Sequence, residues 1–436
     1  MPQCRSWPEK DRDERGLLWF ARLLVESKTG GRMRHWEFAS HYTNKVEIYS
    51  KSDPMRLAFN ATALLSPLTG IGQYGFHLAG ELLKMPELDI DFFYGTTWDK
   101  RRLTSIPSSV GKVMMPWMKP WIKQRIPFYP QIGRLYRQHQ FTQQVKAAKF
   151  DVHHEPNYLP LRMDAPTVIT AHDLSWIRYP EMHPAQRVAI MNRYFEKALY
   201  QASAVITDAE FVKQEIVDVF GIAPEKITAI PLGVESMFRP LSSDETRAVL
   251  SSHGLEHGRY FLTVGTLEPR KNLSLAIRAY SALPESIRKR YPLVVIGMKG
   301  WHSAEIEKLI APLERSGYLR PLGYVSREDL ATIMAGATTL IYPSIYEGFG
   351  LPPLEAMACG VPVICSNVSS LPEVVGDAGI LIDPSDETGL RQKLLMLIED
   401  PGQRDAFAVR SREQASSFTW EKCAQQTVNV YRRLIR

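Results

Sequence analysis

Glu347 and Glu355 stand in an E-x7-E spacing inside an otherwise apolar, glycine-bearing stretch, Ala337 to Pro372 (ATTLIYPSIYEGFGLPPLEAMACGVPVICSNVSSLP). Ionised carboxylates accept hydrogen bonds from hydroxyls and repel phosphate, so the pair suits a hydroxyl-rich ligand. The residues around them suit an anion. Leu340, Ile341 and Tyr342, ended by Pro343, read as a buried strand end, and Ser344 to Gly350 as the loop that leaves it. Pro352 and Pro353 fit the first turn of a helix that Gly360 closes. A helix N-terminus behind a glycine loop gathers unpaired N–H groups and the positive end of the helix dipole. Amides for phosphate beside acids for hydroxyls form the combination that a nucleotide-sugar requires. An ordinary strand–helix turn with two solvated acids would give the same spacing.

Arg270 and Lys271 form a second candidate group. They lie in YFLTVGTLEPRKNLSLAIRAY, a strand, a loop and a helix start, where cations face the positive end of the helix. That placement is costly unless an anion visits, and a departing diphosphate is the natural visitor. His172 follows strand Thr167 to Ala171, at the carboxyl end where open α/β sheets bind ligands. Gly70, Gly72 and Gly75 spell G-x-G-x-x-G ahead of a helix with Tyr74, Leu78 and Leu82 on one face. In a dinucleotide site the first glycine follows its strand directly, whereas here Ser66 to Thr69 intervene. The expectation is a loop whose bare backbone approaches a diphosphate across a cleft; NAD binding with Asp91 downstream is the alternative. Asp89-Ile90-Asp91 is formally D-x-D, yet it lies in the alternation of a strand, LDIDFFY. With no other carboxylate cluster, no catalytic metal is expected.

Positioning these groups takes a series of strand–helix repeats, and 436 residues supply two sets of them. At 44% hydrophobic and 23% charged, the composition is that of a soluble globular protein. Cys4, Cys359, Cys365 and Cys423 show neither metal nor disulfide spacing, which points to a reducing, cytoplasmic setting. No apolar run reaches the ~18 to 20 residues of a membrane span, and no secretory signal is visible. Residues 1–54 lack periodicity and read as a weakly ordered extension or a mis-assigned start, because the fold signal begins abruptly at Met55. A first domain is expected over 55–235 with a linker from about Ile230, a second over 236–418, and a final helix over 419–436. Charge is uneven: Lys100 to Phe150 holds eleven basic residues and no acid, which leaves −5 for the rest of the chain. Within it, residues 112–128 interleave cations with Trp117, Trp121 and three methionines. That pattern suits an anionic membrane surface or a lipid-linked acceptor. A solvated basic face over core aromatics, or stacking on nucleic acid, are the alternatives, and no nucleic-acid partner is expected.

The stretch Ala337 to Pro372 closely resembles the donor-site signature of the retaining GT-B glycosyltransferases of family 4, and the resemblance covers about Met55 to Arg436. It implies an α/β protein of two Rossmann-like, doubly wound domains facing an interdomain cleft. The nucleotide-sugar would bind the second domain and a lipid-linked or oligosaccharide acceptor the first. Arg270, Lys271 and the amides of Phe349, Gly350 and Leu351 would hold the diphosphate, with Gly72 approaching on closure. Glu347 would hold hexose hydroxyls, Glu355 the ribose, His172 the hexose from the opposite wall, and Tyr324 and Val325 the base. Thr266 stands where the wider family often has an arginine, which leaves open whether Arg270 supplies the second cation. The last helix would cross back onto the first domain. The reaction implied is front-face transfer without cofactor, best matched to mannose from GDP-mannose in bacterial surface polysaccharide synthesis, on the inner face of the cytoplasmic membrane. UDP- or dTDP-linked glucose, galactose or rhamnose, an NAD oxidoreductase, and a non-catalytic nucleotide-sugar binder are the other readings.

Overall fold

The computed structural model describes residues 53–65, 70–102, 129–145 and 149–435. The reading of 1–54 as an extension lies outside the described residues except for 53 and 54, and that of 112–128 as a membrane surface lies wholly outside them.

Two sheets organise the chain. The first holds β1 (Met55–Asn60), β2 (Leu88–Phe93), β3 (Trp98–Asp99), β4 (Val152–Glu155), β5 (Thr167–Ala171), β6 (Ala204–Thr207) and β7 (Ile227–Ala229). Their order is β3-β2-β1-β4-β5-β6-β7, parallel throughout except for β3 against β2. The second holds β8 (Phe261–Val264), β9 (Leu293–Ile296), β10 (Leu319–Gly323), β11 (Thr339–Tyr342), β12 (Val363–Ser366) and β13 (Ile380–Ile382). It is wholly parallel, in the order β10-β9-β8-β11-β12-β13. Strands such as AVIT, FLTV, LVVI and VICS are buried along their whole length, as continuous apolar runs between two helical layers must be. In each sheet the chain order reverses once, between β1 and β4 and between β8 and β11. These are the two switch points where doubly wound sheets open a crevice.

The helix Trp420–Leu434 lies on the first sheet, not the second. Tyr431 OH meets His154 Nδ1 at 2.6 Å, and His154 Nε2 meets Thr170 Oγ1 at 2.9 Å, so the helix is tied to β4 and β5. Burial lowers the His154 imidazole to about 3 and keeps it neutral. Trp420 stacks on His77 of the helix Gly70–Leu82 at 5.0 Å. The other crossing chain needs a glycine there, because a Cβ on Gly233 would stand 2.1 Å from Trp420 N.

Three local expectations change. Gly70, Gly72 and Gly75 belong to the helix Gly70–Leu82 itself, not to a loop. Its buried stripe of Tyr74, Leu78 and Leu82 outweighs the ~1 kcal/mol that each glycine costs in a helix. Arg270 and Lys271 lie in a 3-10 turn, Pro269–Lys271, just ahead of the helix Leu273–Ser281. A helix absent from the sequence reading, Pro401–Ala415, starts with Asp400 accepting from Gln403 N at 3.0 Å.

Candidate active site

The loop after β8 and the loop after β11 meet at the second sheet's switch point, and Glu347 sits between their charges. Its Oε1 accepts from Lys271 Nζ at 2.7 Å and its Oε2 from Arg270 Nη1 at 3.0 Å. Burial alone would raise this carboxyl, but Arg270 and Lys271 hold it at about 2, so it is ionised. Arg270 also donates to Glu268 at 2.7 Å and to the Tyr346 carbonyl at 2.5 Å. Its guanidinium is held above its ordinary value: burial opposes the charge, and Glu347 and Glu268 more than offset that. Burial pulls the Lys271 ammonium below its ordinary value, opposed by Glu347 and reinforced by Arg270. Lys271 donates further to Tyr342 OH at 2.7 Å. Two partly buried cations and two buried acids, Glu268 and Glu347, thus balance.

The loop itself is fixed by two serines that follow β12. Ser369 Oγ accepts from Glu347 N at 3.0 Å, and Ser370 Oγ reaches the carbonyls of Glu347 and Phe349 at 2.9 and 3.0 Å. Gly350 caps the helix Leu351–Ala358 with φ of +111°, which favours glycine, and Phe349 is buried edge-on against Phe418. Pro352 and Pro353 carry no N–H, so the donors left at this helix N-terminus are concentrated at Gly350 and Leu351. Leu354, Ala356 and Met357 anchor the helix in the core.

Glu355 is buried in that helix and paired with Arg327, which also donates to Glu235 Oε1 at 2.7 Å. Glu235 lies in the linker and meets His77 Nε2 of the first domain at 3.1 Å. Arg327 was missed, although its place as first residue of the helix Arg327–Ala335 repeats the argument applied to Arg270 and Lys271. Tyr324, just past β10, is 67% exposed, with Val325 beside it partly buried. Gly72 lies buried in the first turn of its helix.

His172 stands just past the end of β5. Its Nε2 lies 2.9 Å from the Pro156 carbonyl, which can only accept, and its Nδ1 lies 2.7 Å from Asp208. Both ring nitrogens therefore have protein partners, and the ring is boxed by Tyr74 and Tyr158 at 5.0 and 5.5 Å. Burial opposes the imidazolium and Asp208 more than offsets it, so the ring is held above its ordinary value. What His172 presents to the loop after β11 is its backbone: a Cβ on Gly348 would stand 1.7 Å from the His172 carbonyl oxygen. Asp89 and Asp91 of the D-x-D pattern pair with Arg56 and Lys100. Among the described residues no group of three or more His, Cys, Asp or Glu could hold a metal ion, and no helix is long and apolar enough to cross a membrane.

Comparison with known proteins agrees with this layout. Residues 248–414 match the family model described as "Glycosyl transferases group 1" and residues 69–237 match "Glycosyltransferase Family 4". The O-antigen chain mannosyltransferase B of Escherichia coli is 37% identical over 388 residues, 87% of this chain and 100% of that protein. A sucrose-phosphate synthase from Thermosynechococcus elongatus shares the fold with a TM-score of 0.69 at 21% identity, covering 87% of this chain and 99% of that one. Anabaena HepE in complex with UDP and glucose gives 0.62 at 19% identity, covering 87% and 100%. The chain belongs to the family 4 glycosyltransferases and has their two-domain GT-B fold.

Proposed function

We propose that this enzyme transfers mannose from GDP-mannose to a lipid-linked or oligosaccharide acceptor in bacterial surface polysaccharide synthesis. It does so with retention of configuration and without a metal, on the cytoplasmic side of the membrane. The support for mannose is the 37% identity, over the whole of that protein, to an O-antigen chain mannosyltransferase. The observation that carries the mechanism is the Lys271–Glu347–Arg270 cluster at the switch point between β8 and β11.

Lys271 places two of its three N–H donors on Tyr342 and Glu347 and turns the third to the β-phosphate, joined by the amides of Gly350 and Leu351. Arg270, enclosed by Glu268, Glu347 and the Tyr346 carbonyl, positions Glu347 for hexose hydroxyls. Glu355, oriented by Arg327, accepts from the ribose, and exposed Tyr324 lies along the base. His172, with both nitrogens engaged, shapes the wall facing the hexose. As the sugar–phosphate bond lengthens, charge grows on the leaving oxygen inside a dry site rich in donors, where each can supply several kcal/mol. The acceptor hydroxyl attacks from the same face and its proton passes to the departing phosphate.

Thermal shift with GDP-, UDP- and dTDP-sugars and NAD, on wild type and Glu355→Ala, tests this. GDP-mannose at a hundred times its Kd should add about 2.7 kcal/mol of stability, lost in the variant. A response to a UDP- or dTDP-sugar instead would reassign the donor, and a response to NAD alone would overturn the reading.

A further inference from the structure

His183 is only 5% exposed, yet neither of its ring nitrogens has a hydrogen-bond partner among the described residues. Buried polar groups are ordinarily paired, because an unmet donor or acceptor keeps its desolvation cost. His183 follows the turn Pro180–Met182 of the first domain, and Trp301 lies against it from the second. Trp301, in the loop after β9, places its ring 5.8 Å from the imidazole and donates from Nε1 to the Met182 carbonyl at 2.5 Å. The Arg187 guanidinium lies 5.9 Å from the same indole. One side chain of the second domain is thus seated on both backbone and side chain of the first.

The loop that carries Trp301 is tied to the candidate site. Leu267 N donates to the Met298 carbonyl at 2.9 Å and Gly300 N to the Leu267 carbonyl at 3.2 Å, so the loops after β8 and β9 are joined by backbone. A Cβ on Gly300 would stand 2.8 Å from the Leu267 carbonyl oxygen, so the approach needs glycine. Leu267 directly precedes Glu268, which accepts from Arg270, with Lys271 next in the chain. A displacement of Trp301 is therefore passed through backbone towards the Lys271–Glu347–Arg270 cluster.

The seat depends on a proton. A neutral imidazole brings one N–H into this enclosure, an imidazolium two and a charge, and a charge is the costlier to bury. Burial first, then Arg187 and Arg270, hold the His183 ring below its ordinary value, against Asp173 and Glu181. The docked form thus binds fewer protons than the separated one, where the ring charges near the ordinary imidazole value of about 6.5. Docking is fully favoured above that value and weakens as pH falls below it, by up to about tenfold per pH unit.

We propose that His183 and Trp301 are positioning residues that make sugar transfer proton-sensitive: Trp301 seats on His183 only while the imidazole is neutral, and that seat holds the loop bearing Arg270 and Lys271 against the first domain. The link to transfer rests on the glycosyltransferase reading; the proton-sensitive seat does not.

Two measurements on the full chain test the two parts. NMR of carbon-labelled histidine rings follows His183, assigned by its loss in His183→Phe. In wild type it should titrate below the ordinary imidazole range, and in Trp301→Ala return towards it, because docking and protonation oppose each other reciprocally. Trp301→Phe, which keeps an aromatic cover without the Nε1 donor, should fall between. An ordinary titration in wild type, or one that Trp301→Ala leaves unmoved, overturns the seat. Release of GDP from GDP-mannose is then compared at about pH 8 and about pH 5.5, on either side of the imidazole range. Wild-type kcat should fall several-fold on acidification, and His183→Phe, which keeps a ring without a proton, should lose most of that fall. No fall in wild type, or the same fall in His183→Phe, overturns the link to transfer. Absence of turnover in every variant at both pH values, with the NMR response intact, would sink the proposed function alone.

Discussion

Lys271 is the residue on which the leaving-group role turns. Its ammonium is held by Tyr342 and Glu347, and removal of it leaves Glu347 paired to Arg270, so the local fold keeps one ion pair. Lys271→Ala should therefore melt near wild type but lose kcat/KM by at least ~100-fold, the scale of a missing charge-stabilising donor. Near-normal turnover in that variant would remove Lys271 from the mechanism. At this scale the sequence was legible where the cost of a residue type shows without a structure. Two acids beside a glycine loop and two cations ahead of a helix both ask for a ligand. Glu268, Ser369, Ser370 and Arg327 were not legible, because each acts on a residue brought close only by folding. The partners of His172 were hidden for the same reason: Pro156 and Asp208 lie on neighbouring strand ends.

Elements explain how the two domains are brought into register at the reacting centre. The loop after β11 is clipped by Ser369 and Ser370 and passes so close to the end of β5 that only glycine fits at 348. In Gly348→Ala the new methyl would overlap the His172 carbonyl, and backbone on both sides leaves no flexible side chain to give way. The loop must then withdraw from the first domain. Stopped-flow and steady-state assays should show kcat reduced about tenfold or more, with donor affinity less affected, because Lys271 and Glu355 lie on the second domain's side. A variant with wild-type kcat would mean that the contact is not part of the working state. The buried strands were easy to read as apolar runs, whereas the helix Pro401–Ala415 has only Ser411 and Ala415 buried and so shows little periodicity. Its Asp-Pro start, an N-cap followed by proline at the first position, was the signal available.

At the scale of the whole molecule, side chains of one domain bond backbone of the other, an arrangement that would hold a closed form. Both oxygens of Glu373 accept from the amides of Glu210 and Phe211, at 2.9 and 2.6 Å, so an acid of the second domain caps a helix of the first. Tyr346 OH accepts from Leu174 N at 2.9 Å and donates to Glu215, which Arg178 holds at 2.6 Å. Tyr346 also carries the carbonyl that accepts from Arg270, so this latch and the Lys271–Glu347–Arg270 cluster share a residue. Glu355, Arg327, Glu235 and His77 also run in sequence from the helix Leu351–Ala358 through the linker into the first domain. No single element in the chain foretells such bridges, since they depend on how two independently readable sheets are set against each other. Losing the Glu373 cap and the Tyr346 bond together should cost the closed form about 2 kcal/mol, roughly a thirtyfold change in the open–closed balance. The double variant Tyr346→Phe, Glu373→Ala should therefore show a larger radius of gyration by solution scattering and a raised donor KM. Saturating donor should draw it back towards the wild-type radius, because ligand that binds only the closed form shifts the balance by its differential affinity. Identical scattering for variant and wild type without donor would show that these bonds do not set the closure. A radius that stays enlarged at saturating donor would show that donor binding does not draw the domains together, even with the Glu355–Arg327–Glu235–His77 series intact.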